Sequence, residues 1–305
     1  MSEASAIQWL LEGDPAIRWQ VMRDLTDEPA DVVARERSRV ANEGWGKALL
    51  DRQAPEGWWN ANDRGWMITM DALALLREMG LDPASDGARR AVARVKANLR
   101  WESLGSRRYF DGETEACING AILAFGSYFG ERCERIVDRL LGEQLADGGW
   151  NCEAPPSARS SFNSTIRVLE GLSEHQQAWG TSAAVTAARR RAHEYLLERR
   201  MFRRLSTGEV VDPTWTLFAF PTMWHYDVLR GLDYLRSAGV QPEERAAEAV
   251  EIVARGRREE GRWPLDLLHA DRLGFAFDEQ TGNASRWNTL RALRVLRWSS
   301  GARVK

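Results

Sequence analysis

Six short segments of the sequence share one pattern: Met22-Arg23-Asp24-Leu25, Met70-Asp71-Ala72-Leu73, Ile118-Asn119-Gly120-Ala121, Leu169-Glu170-Gly171-Leu172, Leu229-Arg230-Gly231-Leu232 and Leu290-Arg291-Ala292-Leu293. Each runs apolar, polar, usually small, then apolar. Successive copies start 48, 48, 51, 60 and 61 residues apart. A period near 50 with helical apolar spacing predicts a helix-pair repeat. Such a unit cannot bury its apolar face alone, so it must stack on its neighbours.

A second signal runs between the first. Gln53 to Trp59 reads Q-A-P-E-G-W-W, Gln144 to Trp150 reads Q-L-A-D-G-G-W, and Arg257 to Trp263 reads R-R-E-E-G-R-W. A polar residue stands six positions before a Trp, and a Gly two before it. The Gly allows a sharp turn at positive φ after a helix. The Trp is expected to fill the gap between stacked repeats.

These segments and turns interleave from about residue 14 to 298. They resemble the glutamine-tryptophan repeats of the squalene cyclase and protein prenyltransferase superfamily. The resemblance implies an all-α fold, a single α/α toroid of about six inner and outer helix pairs, with residues 1–305 as one domain. The patterns predict inner helices over 15–26, 66–79, 115–129, 162–174, 223–237 and 285–297. Outer helices are predicted over 30–53, 86–99, 132–145, 182–199 and 244–257. Asp14-Pro15 opens the first inner helix, with Asp as N-cap and Pro in the first turn. Long irregular stretches lead into inner-helix starts, where loops can shape a pocket.

Composition narrows the function classes. A net charge of −2 argues against nucleic acid, which requires a basic face. Only three of the 42 basic residues are lysines (Lys47, Lys96 and Lys305), a bias that reads as a G+C-rich bacterial genome. No run reaches the roughly 18 apolar residues of a membrane span. The start, Met-Ser-Glu-Ala-Ser, has no basic segment followed by an apolar one, so no secretion signal is expected. Three widely spaced cysteines, Cys117, Cys133 and Cys152, fit a reduced, cytoplasmic protein.

Asp111-Gly112-Glu113-Thr114-Glu115-Ala116-Cys117 puts three carboxylates ahead of the third inner helix. The structural reading is capping and favourable charge at a helix N-terminus. The functional reading is a general acid or a metal ligand facing the cavity. The string resembles the acidic D-x-D-D motif of class II terpene cyclases, whose central Asp protonates an alkene. Glu113 holds that position here, although the chain has no adjacent Asp pair. Glu115-x-Cys117 also resembles the D-x-C half of the protein prenyltransferase zinc site. That resemblance implies, as a minor alternative, zinc-dependent prenyl transfer on Glu115, Cys117 and His225, and a second helical subunit. The next repeat offers Asn163 and Ser164 rather than a His, so no cofactor or metal is expected.

Trp224-His225-Tyr226-Asp227 is expected to open the fifth inner helix, with His225 either a buried hydrogen-bonded residue or an acid/base. On one helix Asp227 points away from His225, so no dyad is established. Trp66, Asn163, Trp224, Tyr226, Asp227 and Trp287 cluster near inner-helix starts as candidate ligand-binding residues. Aromatic faces there suit an isoprenoid chain or a developing carbocation, or else ordinary packing between repeats. The D-D-x-x-D diphosphate signature is absent. Leu141-Gly142-Glu143-Gln144 is similar to a complement thioester sequence, but Leu replaces its essential Cys.

The leading expectation is a terpene cyclase-like or prenyltransferase-like protein. In it Glu113, Glu115 and His225, with Asp111 and Cys117, face an aromatic pocket for an isoprenoid or other apolar small molecule. The alternative is a non-catalytic toroid that binds a ligand or partner protein.

Overall fold

The computed structural model describes residues 3–59, 65–269, 277 and 279–301. It is all-α apart from two small two-stranded sheets. In chain order the α-helices are α1 (Glu3–Leu11), α2 (Pro15–Asp24), α3 (Ala30–Ser38), α4 (Gly44–Leu50), α5 (Gly65–Glu78), α6 (Asp86–Asn98) and α7 (Ala116–Tyr128). There follow α8 (Glu134–Gly142), α9 (Phe162–Trp179), α10 (Ala183–Glu198), α11 (Val228–Ser237), α12 (Ala247–Arg255) and α13 (Arg286–Ser299). The sheets pair β1 (Arg100–Trp101) with β2 (Arg107–Arg108), and β3 (Trp263–Pro264) with β4 (Ala284–Ser285), both antiparallel.

The repeated segments fall on α2, α5, α7, α9, α11 and α13, with Leu25 capping α2. Leu25, Leu73, Leu172, Leu232 and Leu293 are all buried. The intervening helices match the second set of predictions, with differences. The predicted 30–53 helix is broken into α3, a short 3-10 turn and α4. Helix α1 lies outside the predicted set, because it precedes the first repeat. The fifth repeat-bearing helix starts at Val228, not 223, because Asp227 is its N-cap and Trp224 to Tyr226 lie in the preceding turn.

Three turns share one construction. The indole N–H of Trp59 donates to Leu49 O at 2.7 Å, Trp150 to Leu140 O at 2.7 Å, and Trp263 to Val253 O at 2.6 Å. Each acceptor lies in the last turn of α4, α8 or α12, where a helix leaves carbonyls without partners. The glycines between them, Gly57, Gly148 and Gly261, have φ of +97°, +98° and +80°. All three tryptophans are buried. In two copies the leading Gln ties one intervening helix to the next. Gln53 Nε2 donates to Gly57 O and to Ala91 O on α6, both at 3.0 Å. Gln144 Nε2 donates to Gly148 O at 2.7 Å and to Ala188 O on α10 at 2.8 Å. In the third copy Arg257 replaces the Gln and lays its guanidinium 5.7 Å from the Trp263 ring centre.

The chain divides into two compact units, residues 49–195 and residues 1–48 with 196–305. In the 49–195 unit, α7 and α9 approach closely because the small residues of their repeats face each other. A Cβ on Gly120 would lie 2.6 Å from the Arg167 carbonyl carbon, and one on Gly171 would lie 2.5 Å from Gly120 O.

The other unit joins the first repeat to the last. Asp14 caps two helices there, accepting from Ala16 N and, through its other oxygen, from Trp45 N, both at 2.8 Å. Gln20 and Asp24 on α2 both meet the buried Arg294 of α13, Gln20 Oε1 accepting at 2.8 Å and Asp24 as an ion pair. Burial pushes Asp24 upward, but Arg294 and then Arg23 outweigh it and hold the carboxyl at about 2. Burial lowers Arg294 to about 10 despite Asp24. At neutral pH the arrangement is a buried ion pair.

The turn construction is testable. Trp150→Ala removes a large buried ring and leaves the Leu140 carbonyl unpaired, at an expected cost of about 3–5 kcal/mol. Gly148→Ala must place a Cβ 2.6 Å from Arg191 O at positive φ and is expected to cost more than about 1 kcal/mol. Urea denaturation checks both, and an unchanged midpoint for Trp150→Ala contradicts the assignment.

Candidate functional site

A cavity of about 470 Å³ opens in the 49–195 unit, and the start of α7 forms one side of it. Trp58, Trp66, Trp101 and Ile118 give it apolar walls, and Arg100, Glu102, Glu113 and Glu115 line it as well. The aromatic wall is backed by a third ring, with one tilted and one stacked contact. Trp66 and Trp101 rings lie 5.3 Å apart, and Trp101 stacks on Tyr109 at 5.1 Å and 8°. The Tyr109 hydroxyl donates to Trp66 O at 2.9 Å, and the Trp101 indole N–H to Tyr109 O at 2.9 Å. Burial, then the nearby Asp71 charge, keeps the Tyr109 phenol well above its ordinary range, so it stays a donor.

Asn119 fixes the acidic loop. Its Oδ1 accepts from Glu113 N at 2.8 Å, and its Nδ2 donates to Glu113 O at 2.9 Å. Gly112, at φ +84°, lies so close that a Cβ there would be 2.4 Å from Asn119 Oδ1. The Glu113 carboxylate turns back on the loop, accepting from Glu115 N at 2.7 Å and from the Thr114 hydroxyl at 2.9 Å. Glu115 occupies the N-cap position of α7 but makes no side-chain cap bond. Asp111 is not brought to this cavity. It ends a 3-10 turn before the kink at Gly112, and lines a separate hollow of about 410 Å³ with Lys96, Arg108 and Glu131. The three carboxylates of the motif are therefore split two and one.

Cys117 sits beside this acidic edge. Its thiol lies 3.7 Å from Glu115 Oε2, and its backbone N–H donates to Cys152 Sγ at 3.2 Å. The Ser164 hydroxyl donates to the same sulfur at 3.3 Å. The contact between the two thiols themselves is the main reason the Cys152 thiol lies below its ordinary value, with smaller help from Ser164 and the Cys117 backbone N–H, and Cys117 is raised in return. A carboxylate oxygen of Glu115 and the two sulfurs lie within 4.8 Å of one another. These are donor types that a zinc ion accepts, and Cys152 takes the third place that the resemblance gave to His225. Sequence reasoning missed Cys152. Its one signal was position, two residues beyond the repeated Trp150 and just ahead of the next repeat. Asn163 is half-buried in the first turn of α9 and lines neither cavity.

In the other unit the aromatic segment is mostly core. Tyr226 is fully buried, donates its hydroxyl to Met201 O at 2.6 Å and meets Trp215 edge-on at 5.2 Å. Asp227 is equally buried. Its Oδ1 accepts from Arg230 N at 2.7 Å, its Oδ2 from Ala219 N at 3.3 Å, and Arg291 lies 3.9 Å away. That capping role leaves it no place in a His225 dyad. Trp287 stacks on Phe220 at 4.3 Å and 12°. These three residues, expected at a ligand surface, are explained by packing and capping. Trp224 is the exception, 47% exposed. His225 is buried, and its ring forms a triangle with those of Trp224 and His269, the centroids 5.6, 4.9 and 5.8 Å apart. Burial lowers its pKa, against the opposing charge of Asp227.

No protein-family model matches the sequence, and no curated protein matches it. Among solved structures, the chain is similar to the type II terpene cyclase MstE from Scytonema in its apo form, at 19% identity over 96% of this chain and 95% of that one, with a TM-score of 0.48. It is also similar to a protein from Actinoplanes, at 16% identity over 98% and 100%, TM-score 0.48. A variant of MstE in complex with merosterolic acid A, described as its product, matches at 17% identity over 98% and 96%, TM-score 0.48.

The His225 environment gives a signed pH prediction. A folded-state pKa below the unfolded value of about 6.5 means the folded protein binds this proton less well. Its contribution to stability is complete above about pH 6.5 and is lost as pH falls toward the folded value. Urea midpoints at pH 7.5 and 5.5 should therefore differ more in the wild type than in His225→Gln. An NMR titration midpoint for His225 above 6.5 would reverse the sign.

Proposed function

We propose that this is a terpene cyclase-like or prenyltransferase-like protein that binds an isoprenoid or similar apolar small molecule in the cavity beside α7. The observation that carries the reading is the tryptophan-walled hollow of about 470 Å³. That volume is of the size that takes a small ligand. The resemblance of the repeats to the glutamine-tryptophan family supports the same class of ligand.

The carboxylates favour binding over alkene protonation. A protonating acid needs enclosure and a maintained proton. Glu113 is instead engaged with the loop backbone and Thr114, and Glu115 is exposed. A second reading rests on the juxtaposition of indole faces with three acidic side chains, Glu102, Glu113 and Glu115, against one cation, Arg100, whose guanidinium donates to the carbonyls of Lys96, Ala97 and Leu99. Together they suit a ligand that carries or develops positive charge.

Titration with geranylgeraniol, followed by tryptophan fluorescence, tests the proposal. Saturable quenching is expected, and Trp66→Ala should weaken it roughly tenfold, about 1.4 kcal/mol. Glu115→Gln should leave affinity for this uncharged alcohol within about a factor of two, since it removes no apolar wall. Binding that is absent, or indifferent to Trp66, overturns the site. Turnover of a prenyl substrate that Glu115→Gln abolishes without loss of affinity would establish catalysis instead.

A further inference from the structure

We propose that Cys117 and Cys152 form a redox-active dithiol. In this pair Cys152 attacks low-molecular-weight disulfides, and Cys117 resolves the adduct into an intramolecular disulfide. The inference does not depend on the ligand proposed for the cavity.

Three observations carry it. The two sulfurs belong to a cluster whose reactive atoms all lie within 4.8 Å of one another, although 35 residues separate them in sequence. Both are half-buried, while Cys133 is 2% exposed, with its sulfur against Glu131 O at 3.6 Å. The surroundings of the two partners are also unequal. Cys152 Sγ faces the first turn of α7, accepting from the Cys117 backbone N–H and from the Ser164 hydroxyl. A sulfur set at a helix N-terminus among donors is favoured as the attacking nucleophile. The Glu115 carboxylate lies within 4.8 Å of both sulfurs, but it is the Cys117 thiol that directs its S–H toward it, at 3.7 Å from Oε2. The arrangement thus assigns attack to Cys152 and resolution to Cys117.

The chemistry balances with a small disulfide as oxidant. Cys152, its proton released to solvent, attacks one sulfur of that disulfide. A mixed S–S bond forms, the small molecule's own S–S bond breaks, and its first half departs as a thiolate that takes up a proton. Cys117 then gives its proton to solvent and attacks Cys152 Sγ. The mixed bond breaks, and the second half leaves as a thiolate that is protonated in turn. Two protein thiols are oxidised to one disulfide, and one small disulfide is reduced to two thiols. Because Glu115 lines the cavity and touches Cys117, closing the disulfide replaces the thiol that faces that carboxylate.

The test uses the full chain, reduced and then exposed to glutathione disulfide, with intact-mass analysis and peptide mapping over time. In the wild type we expect loss of two hydrogens, one peptide pair cross-linked through Cys117 and Cys152, and unmodified Cys133. Cys117→Ser should stop with one glutathione on Cys152. Cys152→Ser should slow uptake at Cys117 by roughly tenfold or more. The wild-type peptide map stands whether or not either variant folds. Three results would each overturn the proposal. One is glutathione on Cys133 as fast as on Cys152, and another is no cross-link. The third is reaction that begins only after a chelator has stripped the protein, which would show the thiols engaged on a metal ion.

Discussion

The hydrogen bond from a buried indole N–H to a carbonyl at the end of the preceding helix is the interaction on which the repeats depend. Trp59, Trp150 and Trp263 each reach back ten residues to make it. The final carbonyls of a helix have no partner within it, and burying one unpaired is costly. The ring meets that need and fills space in the same act. The chain can then leave an intervening helix, turn at a glycine with positive φ, and run toward the next repeat-bearing helix. A hydroxyl from that next helix completes the join in two copies. Thr165 accepts from Trp150 N at 3.0 Å, and Thr289 from Trp263 N at 2.9 Å.

The same turns explain why candidate chemistry gathers in connections. With helix ends pinned, the stretches between them can be long without leaving their backbone unpaired. The acidic loop before α7 is held by both ends of one side-chain amide, that of Asn119. The stretch after Trp150 delivers Cys152 to the start of α7, a helix from the preceding repeat. Glu113, Glu115 and Cys117, from one short stretch, thus share a neighbourhood with Cys152, 35 residues further along. The first and last repeats are tied differently, through the buried Asp24–Arg294 pair and Gln20. Breaking such a pair costs more than forming it contributes, because it strands a buried charge.

Legibility varied among the site residues for physical reasons. Trp66, Glu113 and Glu115 were named from their place near a helix start, and they line the cavity. Asp111, in the same acidic string, lies elsewhere because the chain kinks at Gly112, where φ is +84°. Tyr226, Asp227 and Trp287 have residue types common in pockets, yet each is occupied internally by a carbonyl, by two backbone N–H groups, or by a stacked ring. A sequence lists donors and acceptors but not which are already taken. Helix α1 lies outside the repeat, so the repeat period carries no signal for it.

The sequence by itself determined the repeat-bearing helices, their order, the turn glycines and the burial of the repeated tryptophans and leucines. Those features follow from spacing and local backbone limits, and nearest-neighbour stacking enforces them. Only the tertiary structure decided which polar groups are spent on the fold and which remain at a cavity. It alone set Cys152 against Cys117 and separated Asp111 from Glu113. Such juxtapositions depend on how helices from different repeats pack, through contacts like Gly120 on Gly171, and packing is a property of pairs of segments that neither carries alone.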